Sequence, residues 1–301
     1  MTGPGANAAA DMQAANRLGS LWMIASMASF AIEDSLLKAA AATLPVGQVM
    51  ILFGLGGAVV FAALLWRDGA PLFIPEVVSR PMRWRVLFEV TGRLFYTLAL
   101  ALIPLSVATV ILQATPLVVV AGAALVFREP VGWRRWTAIF IGLLGVVVIV
   151  QPSGDSFSML SLLAVVGMAG FAGRDLASRA APASIPTAML GLYGFLAIVV
   201  AGILFSLWQG TAFVLPGSPA ALGLAGAVLA GVTGYSCLMK AMRTGDVSAV
   251  TPFRYTRLLF GIALGVLVFG EGLTWAMAAG SALILLSGLF IMWRGKQVRP
   301  N

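Results

Sequence analysis

Ten long apolar runs constrain this sequence more than any other feature. Each run has about 17–25 residues, the length that crosses roughly 30 Å of hydrocarbon. They lie at 18–38, 46–66, 85–103, 105–127, 134–151, 157–179, 186–208, 219–241, 247–269 and 273–293. Prolines stand between most of them, where helices are expected to end. The pattern predicts an all-α polytopic membrane protein with ten transmembrane helices.

The composition supports a membrane protein and narrows its chemistry. Hydrophobic residues make up 60% of the 301-residue chain and charged residues only 10%, whereas a soluble domain carries roughly 25% charged residues. A single cysteine excludes an intrachain disulfide and a cysteine cluster, and the absence of histidine removes the commonest metal ligand and general base. We therefore expect no metal and no cofactor, and any proton chemistry falls to Glu, Asp, Lys or Tyr.

The two ends of the chain differ from the apolar runs. Residues 1–17 are rich in Ala and Gly and are predicted to be a disordered tail, and residues 294–301 form a basic tail. The first run could also be a cleavable signal peptide, because small residues follow it at 39–42. Glu33, Asp34 and Lys38 interrupt its apolar region and argue against that reading.

The basic residues indicate how the chain lies in the membrane. A net charge of +8 would suggest nucleic acid as partner of a soluble protein. Here the basic residues occupy alternate loops, and the other loops contain no Lys or Arg: 39–45, 104, 152–156, 209–218 and 270–272. The positive-inside rule then places both termini in the cytoplasm. We expect lipid and a small solute as partners, no nucleic acid, and location in the cell (inner) membrane; the oligomeric state stays open.

An internal repeat organises the ten runs. With a shift of 142, residues 91–109 lie over 233–251, and Gly92, Phe127 and Glu129 meet Gly234, Phe269 and Glu271. With a shift of 141, Phe30, Asp34 and Lys38 meet Phe171, Asp175 and Arg179. The repeats are therefore 18–151 and 157–293, with five runs each. Because five is odd, the second copy enters the membrane from the opposite side, as in the inverted repeats of secondary transporters.

Two five-helix halves, each with an apolar helix that ends in an FxE sequence, resemble the EamA-type branch of the drug/metabolite transporter superfamily. The two sequences are FRE at 127–129 and FGE at 269–271, and the resemblance covers about residues 18–293. It implies a ten-helix secondary transporter of the bacterial inner membrane whose cavity is lined mainly by helices 1, 3, 4, 6, 8 and 9. It does not name the solute, because relatives carry amino acids, riboflavin, S-adenosylmethionine, sugars or drugs.

Charged residues inside the runs are the candidates for function, because lipid disfavours them strongly. They fall in the first, third, sixth, eighth and ninth runs: Glu33, Asp34, Lys38, Glu89, Arg93, Arg174, Asp175, Arg179, Lys240, Arg254 and Arg257. The second, seventh and tenth runs carry no charge, and the fifth carries only Arg134 and Arg135 at its loop end; these four runs are expected to face lipid.

Spacing along single helices suggests local ion pairs as well as a site. Glu89 and Arg93 are four residues apart, with Tyr96 one turn further, so they form either an intrahelical pair or part of the solute site. Asp34 and Asp175 are repeat-equivalent and are expected to pair with Lys38 and Arg179.

Positions at which the repeats differ are better site candidates, because a solute is asymmetric. Glu33 is equivalent to Arg174, so these two could also attract each other. Arg254 and Arg257 are equivalent to Leu112 and Thr115 and share a helix face after Pro252.

Two adjacent guanidinium groups need carboxylates or an anionic ligand between them, so Arg254 and Arg257 are expected to line the cavity. The alternative is that one of them snorkels to lipid headgroups. Tyr255 lies on a neighbouring face. Gln113 and Thr115 are uncharged candidates beside Pro116. Glu129 and Glu271 are expected to cap the helix that follows each of them.

The sequence therefore predicts a secondary transporter for a small organic solute that works by alternating access. The substrate-binding candidates are Arg254, Arg257, Glu33, Arg93, Tyr96, Gln113, Arg174 and Tyr255. Glu33 and Glu89 are the candidates for a coupling proton, because burial favours the neutral form of a carboxyl group. A membrane-embedded enzyme and a channel are the alternatives, and the missing His, Cys and metal-ligand patterns argue against an enzyme.

Overall fold

A computed structural model describes residues 4–128, 131–150, 159–182, 184–244 and 250–297. Eleven α-helices are formed in this part of the chain. They are α1 (Pro4–Ala41), α2 (Val46–Arg67), α3 (Arg80–Leu102), α4 (Leu105–Leu112), α5 (Thr115–Val126), α6 (Trp133–Val150), α7 (Ser161–Arg179), α8 (Thr187–Gln209), α9 (Ser218–Thr244), α10 (Thr256–Phe269) and α11 (Trp275–Gln297). Short 3₁₀ helices lie at Pro75–Val78 and Thr251–Tyr255.

These helices occupy the ten predicted runs and confirm the all-α membrane fold. Six segments are long and apolar enough to cross a membrane: Val46–Arg67, Leu105–Val126, Trp133–Val150, Thr187–Gln209, Ser218–Ala241 and Thr251–Phe269. A shorter apolar segment is Trp275–Ile291. The remaining helices, α1, α3 and α7, are the ones that carry most of the intramembrane charges. Glu33 and Asp34 of α1 and Glu89 of α3 are buried inside the bundle, and Arg174 and Asp175 of α7 pair with each other.

The fourth span is broken in its middle, between α4 and α5. Pro116 has no backbone N–H and cannot bond the carbonyl of Leu112 four residues earlier. The Thr115 hydroxyl donates to that carbonyl instead. Gln113, at the break, donates its side-chain amide to the backbone oxygen of Arg254 at 3.0 Å. The break thereby connects the fourth span to the ninth.

The first helix is longer than the sequence pattern suggested. It begins at Pro4, so it runs through most of the segment that we expected to be a disordered tail. The physical reason is the alanine content of that segment, since alanine has the highest helix propensity.

Helix pairing follows the two repeats. The main partners are α1 with α9, α3 with α7, α2 with α8, α6 with α11, and α4 with α10. A twofold operation that exchanges the halves converts the first pair into the second, and it maps each of the other pairs onto itself. Because each half has an odd number of spans, this operation also reverses the direction across the membrane. The two repeats are therefore packed as an inverted pair.

One contact appears twice, once in each half of the molecule. A Cβ atom added at Gly92 would lie 2.9 Å from the Phe171 ring, and one added at Gly234 would lie 2.9 Å from the Phe30 ring. These four residues are the glycine and phenylalanine pairs that the sequence shifts align. The small residues let α3 approach α7, and α9 approach α1, closely enough for the aromatic rings to pack on backbone.

Candidate functional site

Two adjacent carboxylates on α1 form the centre of the candidate site. Glu33 and Asp34 are consecutive, so their side chains leave the helix about 100° apart. Glu33 Oε1 accepts a hydrogen bond from Arg93 Nη1 at 2.8 Å, and Asp34 Oδ2 accepts one from Arg257 Nη2 at 2.6 Å. Arg93 belongs to the first repeat and Arg257 to the second. Arginines from both halves of the molecule thus converge on one turn of α1.

Both carboxylates are buried, and their surroundings include few other polar groups. Glu33 is 2% exposed and Asp34 is 0% exposed. The Tyr96 hydroxyl of α3 donates to Asp34 Oδ2 at 3.0 Å. Gly231 of α9 lies so close that an added Cβ would be 3.1 Å from Glu33 Oε2. Ionised groups survive at such a place only when they are paired and hydrogen-bonded.

Aromatic rings line the two guanidinium groups. Arg93 lies 5.6 Å from the Phe53 ring and 5.7 Å from the Phe171 ring, and Arg257 lies 5.3 Å from the Phe30 ring. These distances are within the range of cation–π attraction. Arginines flanked by rings offer a bound molecule both charge and a flat apolar surface.

A second ionic cluster connects α3 with α7. Arg174 binds Asp175 Oδ1 through Nε at 2.9 Å and Nη2 at 2.8 Å, and it reaches Glu89 Oε1 at 3.4 Å. Arg85 lies 3.7 Å from the other oxygen of Glu89 and donates to the Ser178 hydroxyl at 3.0 Å. This cluster also crosses from the first repeat to the second.

The intrahelical pairs that spacing suggested are replaced by pairs between helices. Arg93 bonds Glu33, so the Glu89–Arg93 alternative is wrong. Asp34 bonds Arg257, so the expected Asp34–Lys38 pair is wrong too. The proposed attraction between Glu33 and Arg174 is not formed, because each has other partners. The side chain of Arg179 lies outside the described residues.

Lys38 and Glu271 hold the turn between α3 and α4. Lys38 Nζ donates to the carbonyls of Leu100 and Ile103 at 3.0 and 2.6 Å. Glu271 accepts from the backbone N–H groups of Leu105 and Ser106. Each charge therefore lies at the helix end that it stabilises, a cation at a C-terminus and an anion at an N-terminus. Glu271 was expected to cap the helix that follows it, but it caps α4 of the other repeat. Glu129 lies outside the described residues.

The remaining site candidates lie around the ninth span. Arg254 is half-buried, and its backbone oxygen accepts from Gln113. Tyr255 is 5% exposed, and its ring packs against Gly288 of α11. That contact directs Tyr255 toward the last helix, whereas Arg257 is directed toward α1. The structure thus brings Glu33, Arg93, Tyr96 and Arg257 together and places Glu89 with Arg174.

Two residues of these ion-pair clusters, Arg85 and Asp34, were not predicted from the sequence to be site residues. Arg85, the first residue of the third run, was not among the candidates, yet it is 4% exposed. Its spacing of four residues from Glu89 was the signal that could have found it. Asp34 was assigned a structural pair on its own helix, and nothing in the sequence indicates its partner 223 positions away. Among the described residues no group of His, Cys, Asp and Glu could hold a metal ion.

Comparison with known protein families shows to which family the chain belongs. The model of the EamA-like transporter family matches residues 17–151 and again residues 158–293. The chain belongs to the EamA-like transporter family. The two matches coincide with the two halves of the structure, and they confirm the resemblance that the repeat and the FxE sequences indicated. The family and its named members are transporters, so an enzyme is the wrong class for this chain.

Several characterised relatives span most of the chain. A riboflavin transporter from Vibrio cholerae is 29% identical over 93% of this chain and 95% of its own length. A pseudopaline exporter from Pseudomonas aeruginosa is 27% identical over 89% of this chain and 94% of its own. An S-adenosylmethionine uptake transporter from Rickettsia prowazekii is 26% identical over 68% and 69%. The same fold therefore serves different solutes in both directions.

The fold is also found in a solved crystal structure. That structure covers 93% of this chain and 98% of its own, with a TM-score of 0.59 and 21% sequence identity. At this identity the match supports the architecture and nothing finer.

Proposed function

We propose that this EamA-like protein is a secondary transporter that moves a small polar organic solute across the inner membrane by alternating access. The observation that supports this proposal most strongly is that Arg93 and Arg257, one from each repeat, bind adjacent carboxylates of α1. Transporters built from inverted repeats bind solute near the midplane, where the repeats meet. The buried charges and aromatic rings of this protein are concentrated at that boundary.

Movement of one repeat against the other would change these charges. Among the described residues, the pairs Asp34–Arg257 and Glu89–Arg174 both cross the repeat boundary. Breaking a buried ion pair is costly unless another group replaces the lost partner. A solute that supplies such a group would lower the cost of the movement. This links occupancy of the site to the change between inward-facing and outward-facing states.

The contact of Glu271 with α4 supports alternating access, because it joins the two repeats at one face of the membrane. Lys38 and Glu271 lie on the face whose loops lack Lys and Arg, which the positive-inside rule assigns to the outside. Glu271 of the second repeat holds the N-terminus of α4 in the first repeat. We propose that this contact closes the outer side and that it opens when the protein faces outward.

Proton coupling is part of the proposal, with Glu33 and Glu89 as candidates. Both are buried at the repeat boundary, and both face arginines. A protonated carboxyl group would release its arginine for the solute. If Glu33→Gln and Glu89→Gln both left transport and its pH dependence unchanged, proton coupling through these residues would be excluded.

A ligand-stabilisation screen tests the function. Purified protein in detergent is heated with riboflavin, S-adenosylmethionine, pseudopaline, amino acids and cationic drugs. A ligand at 100 times its Kd stabilises by about 2.7 kcal/mol, which is visible as a rise in Tm. The hit is then assayed for counterflow in proteoliposomes, and Arg254→Gln runs beside the wild type.

The outcomes separate the alternatives. Saturable counterflow supports a carrier, whereas non-saturable flux without counterflow indicates a channel and contradicts the proposal. A ligand that shifts wild type but not Arg254→Gln places Arg254 at the site. A ligand that shifts both equally shows that Arg254 is structural.

A further inference from the structure

The pair between Asp34 and Arg257 is incomplete on both sides. Asp34 Oδ2 receives both Arg257 and Tyr96, while Asp34 Oδ1 is buried without a hydrogen-bond partner. Among the described residues, Arg257 donates to Asp34 through Nη2, and its Nε is buried without a partner. Arg174 and Asp175, in contrast, share two hydrogen bonds. A guanidinium group can bind a carboxylate through two parallel bonds, so Arg257 retains unused capacity for a carboxylate.

Access to this pair is one-sided. The Arg257 side chain keeps 16% of its surface, whereas Asp34 has 0%. The accessible surface of the pair therefore lies on the arginine. The Phe30 ring lies 5.3 Å from the guanidinium carbon. A carboxylate that approaches the pair from its accessible side meets Arg257 before Asp34.

We propose that Asp34 occupies the place of the solute's carboxylate on Arg257 in the empty transporter. This inference rests on the proposed function and adds a substrate class to it: the solute carries a carboxylate group. When that carboxylate binds Arg257, Asp34 loses its cation. A buried carboxylate without a cation takes up a proton, and Oδ1 is the oxygen free to accept it. Binding of one carboxylate is then accompanied by uptake of one proton from water.

The charged and titratable groups around Asp34 determine the direction of the pH effect. Arg257 of α10 and Tyr96 of α3 contact it, and Glu33 and its partner Arg93 lie beside this pair. The α9 helix presents Gly231 and Gly234 to this part of α1, and α4 presents Thr109 near the Tyr96 hydroxyl. Among the described residues, Arg257 is the cation that contacts Asp34 directly, and the Tyr96 hydroxyl donates to the same carboxylate oxygen. Lowering the pH favours protonated Asp34 and a free Arg257, so carboxylate binding strengthens as pH falls, until the solute itself is protonated.

Chemical rescue by formate tests the inference without knowledge of the solute. In Asp34→Asn, Arg257 has no carboxylate partner, and formate should bind in its place. We expect a saturable rise in the Tm of Asp34→Asn with sodium formate, and none with sodium chloride at equal ionic strength. The double variant Asp34→Asn/Arg257→Gln should not respond. Asp175→Asn is the matched control, because Arg174 keeps Glu89 as a partner. No formate effect on Asp34→Asn, or an equal effect on the double variant, would overturn the inference.

A second measurement on the wild type applies even if Asp34→Asn does not fold. Infrared difference spectra recorded on addition of formate should show the carbonyl band of a newly protonated carboxyl group. Its absence across the pH range in which the protein is folded would equally overturn the inference. Neither readout requires transport. Rescue together with failure of the solute screen and of counterflow would reject the proposed function and leave the anion site standing.

Discussion

At the scale of single residues, burial makes each charge depend on its partners. Glu33 is 2% exposed and accepts a hydrogen bond from Arg93 Nη1, while Arg93 Nε is buried without a partner. Burying such a pair is expensive, but removing one member is worse, because it leaves an uncompensated charge. The same pair on the surface would contribute little.

This difference predicts the behaviour of Arg93→Gln. The variant leaves Glu33 buried without a cation and should lower the stability by about 3–5 kcal/mol. The double variant Glu33→Gln/Arg93→Gln should recover a large part of that loss, because no charge is then left buried. Thermal unfolding of the purified proteins in detergent measures both.

Arg67→Gln is the matched control for the Arg93 experiment. Its partner is Asp68, and both side chains are largely exposed, so the change should be within about 1 kcal/mol. A double variant no more stable than Arg93→Gln would show that Arg93 acts by packing against Phe53 and Phe171.

The partners of these residues could not be read from the sequence. Spacing along one helix predicts neighbours at four residues, and differences between the repeats made Glu33 and Arg257 site candidates. Spacing paired Asp34 with Lys38, however, because it contains no information about the helices that surround α1. Asp34 faces α3 and α10, whereas Lys38 reaches the C-terminus of α3. The packing between helices decided the partners of Glu33 and Asp34.

At the scale of elements, the ends of helices are where the two repeats hold each other. The turn at Pro104 receives Lys38 from α1 on one side and Glu271 from the second repeat on the other. The Ser106 hydroxyl adds a third bond to Glu271 at 2.6 Å. One glutamate thus satisfies donors of α4 that the helix itself cannot satisfy.

We predict that Glu271→Gln weakens this contact and that Glu271→Ala removes it. Glutamine keeps one acceptor oxygen but loses the charge, so the loss of stability should be about 1–3 kcal/mol and smaller than for alanine. The readout is labelling of Ser35→Cys, a buried position on α1 between Asp34 and Lys38, in a Cys237→Ala background. A membrane-impermeant maleimide added from outside should react several-fold faster in both Glu271 variants.

Asp68→Asn, at an exposed position, is the control for the Glu271 series and should leave the labelling rate unchanged. Equal labelling in wild type and Glu271→Ala would show that Glu271 stabilises α4 without closing the outer side.

Most elements were predictable because hydrophobic length is a strong signal. The ten runs and the repeat were both indicated by the sequence. The division of the fourth span was not, although Pro116 stands just after it. Proline inside a span is tolerated when side chains satisfy the freed carbonyl. Thr115 does so for Leu112, and this compensation is visible only in three dimensions.

At the scale of the whole molecule, the charges of the loops predict the orientation in the membrane. The segment Gly210–Gly217 belongs to the face without Lys or Arg, and the segment after Arg67 belongs to the other face. We predict that Thr211→Cys is labelled by an impermeant maleimide in intact cells and that Leu72→Cys reacts only after permeabilisation. Both positions are exposed. The reverse pattern would place the termini outside and reverse the assignment of the Glu271 contact.

The contact between a glycine and a phenylalanine ring occurs in both repeats, but the atoms around the two glycines differ in how easily they can move. An added Cβ at Gly92 would meet the Phe171 backbone nitrogen at 2.9 Å and the Gly170 carbonyl carbon at 3.1 Å, besides the ring. At Gly234 the near atoms all belong to the Phe30 ring, at 2.9 to 3.3 Å. A ring can turn away, whereas the backbone of α7 can move only as a helix.

Gly92→Ala should therefore destabilise the protein by about 1–3 kcal/mol, the usual cost of overpacking, and Gly234→Ala should cost clearly less. Gly223→Ala is the control on α9, because nothing lies within 4 Å of its added Cβ. It should be neutral or stabilising by up to about 1 kcal/mol, since alanine restricts the unfolded chain. Tm values of the three variants decide the order. Equal losses at Gly92 and Gly234 would mean that α3 and α7 slide as readily as a side chain turns, so the α3–α7 contact would be a moving surface of the transport cycle.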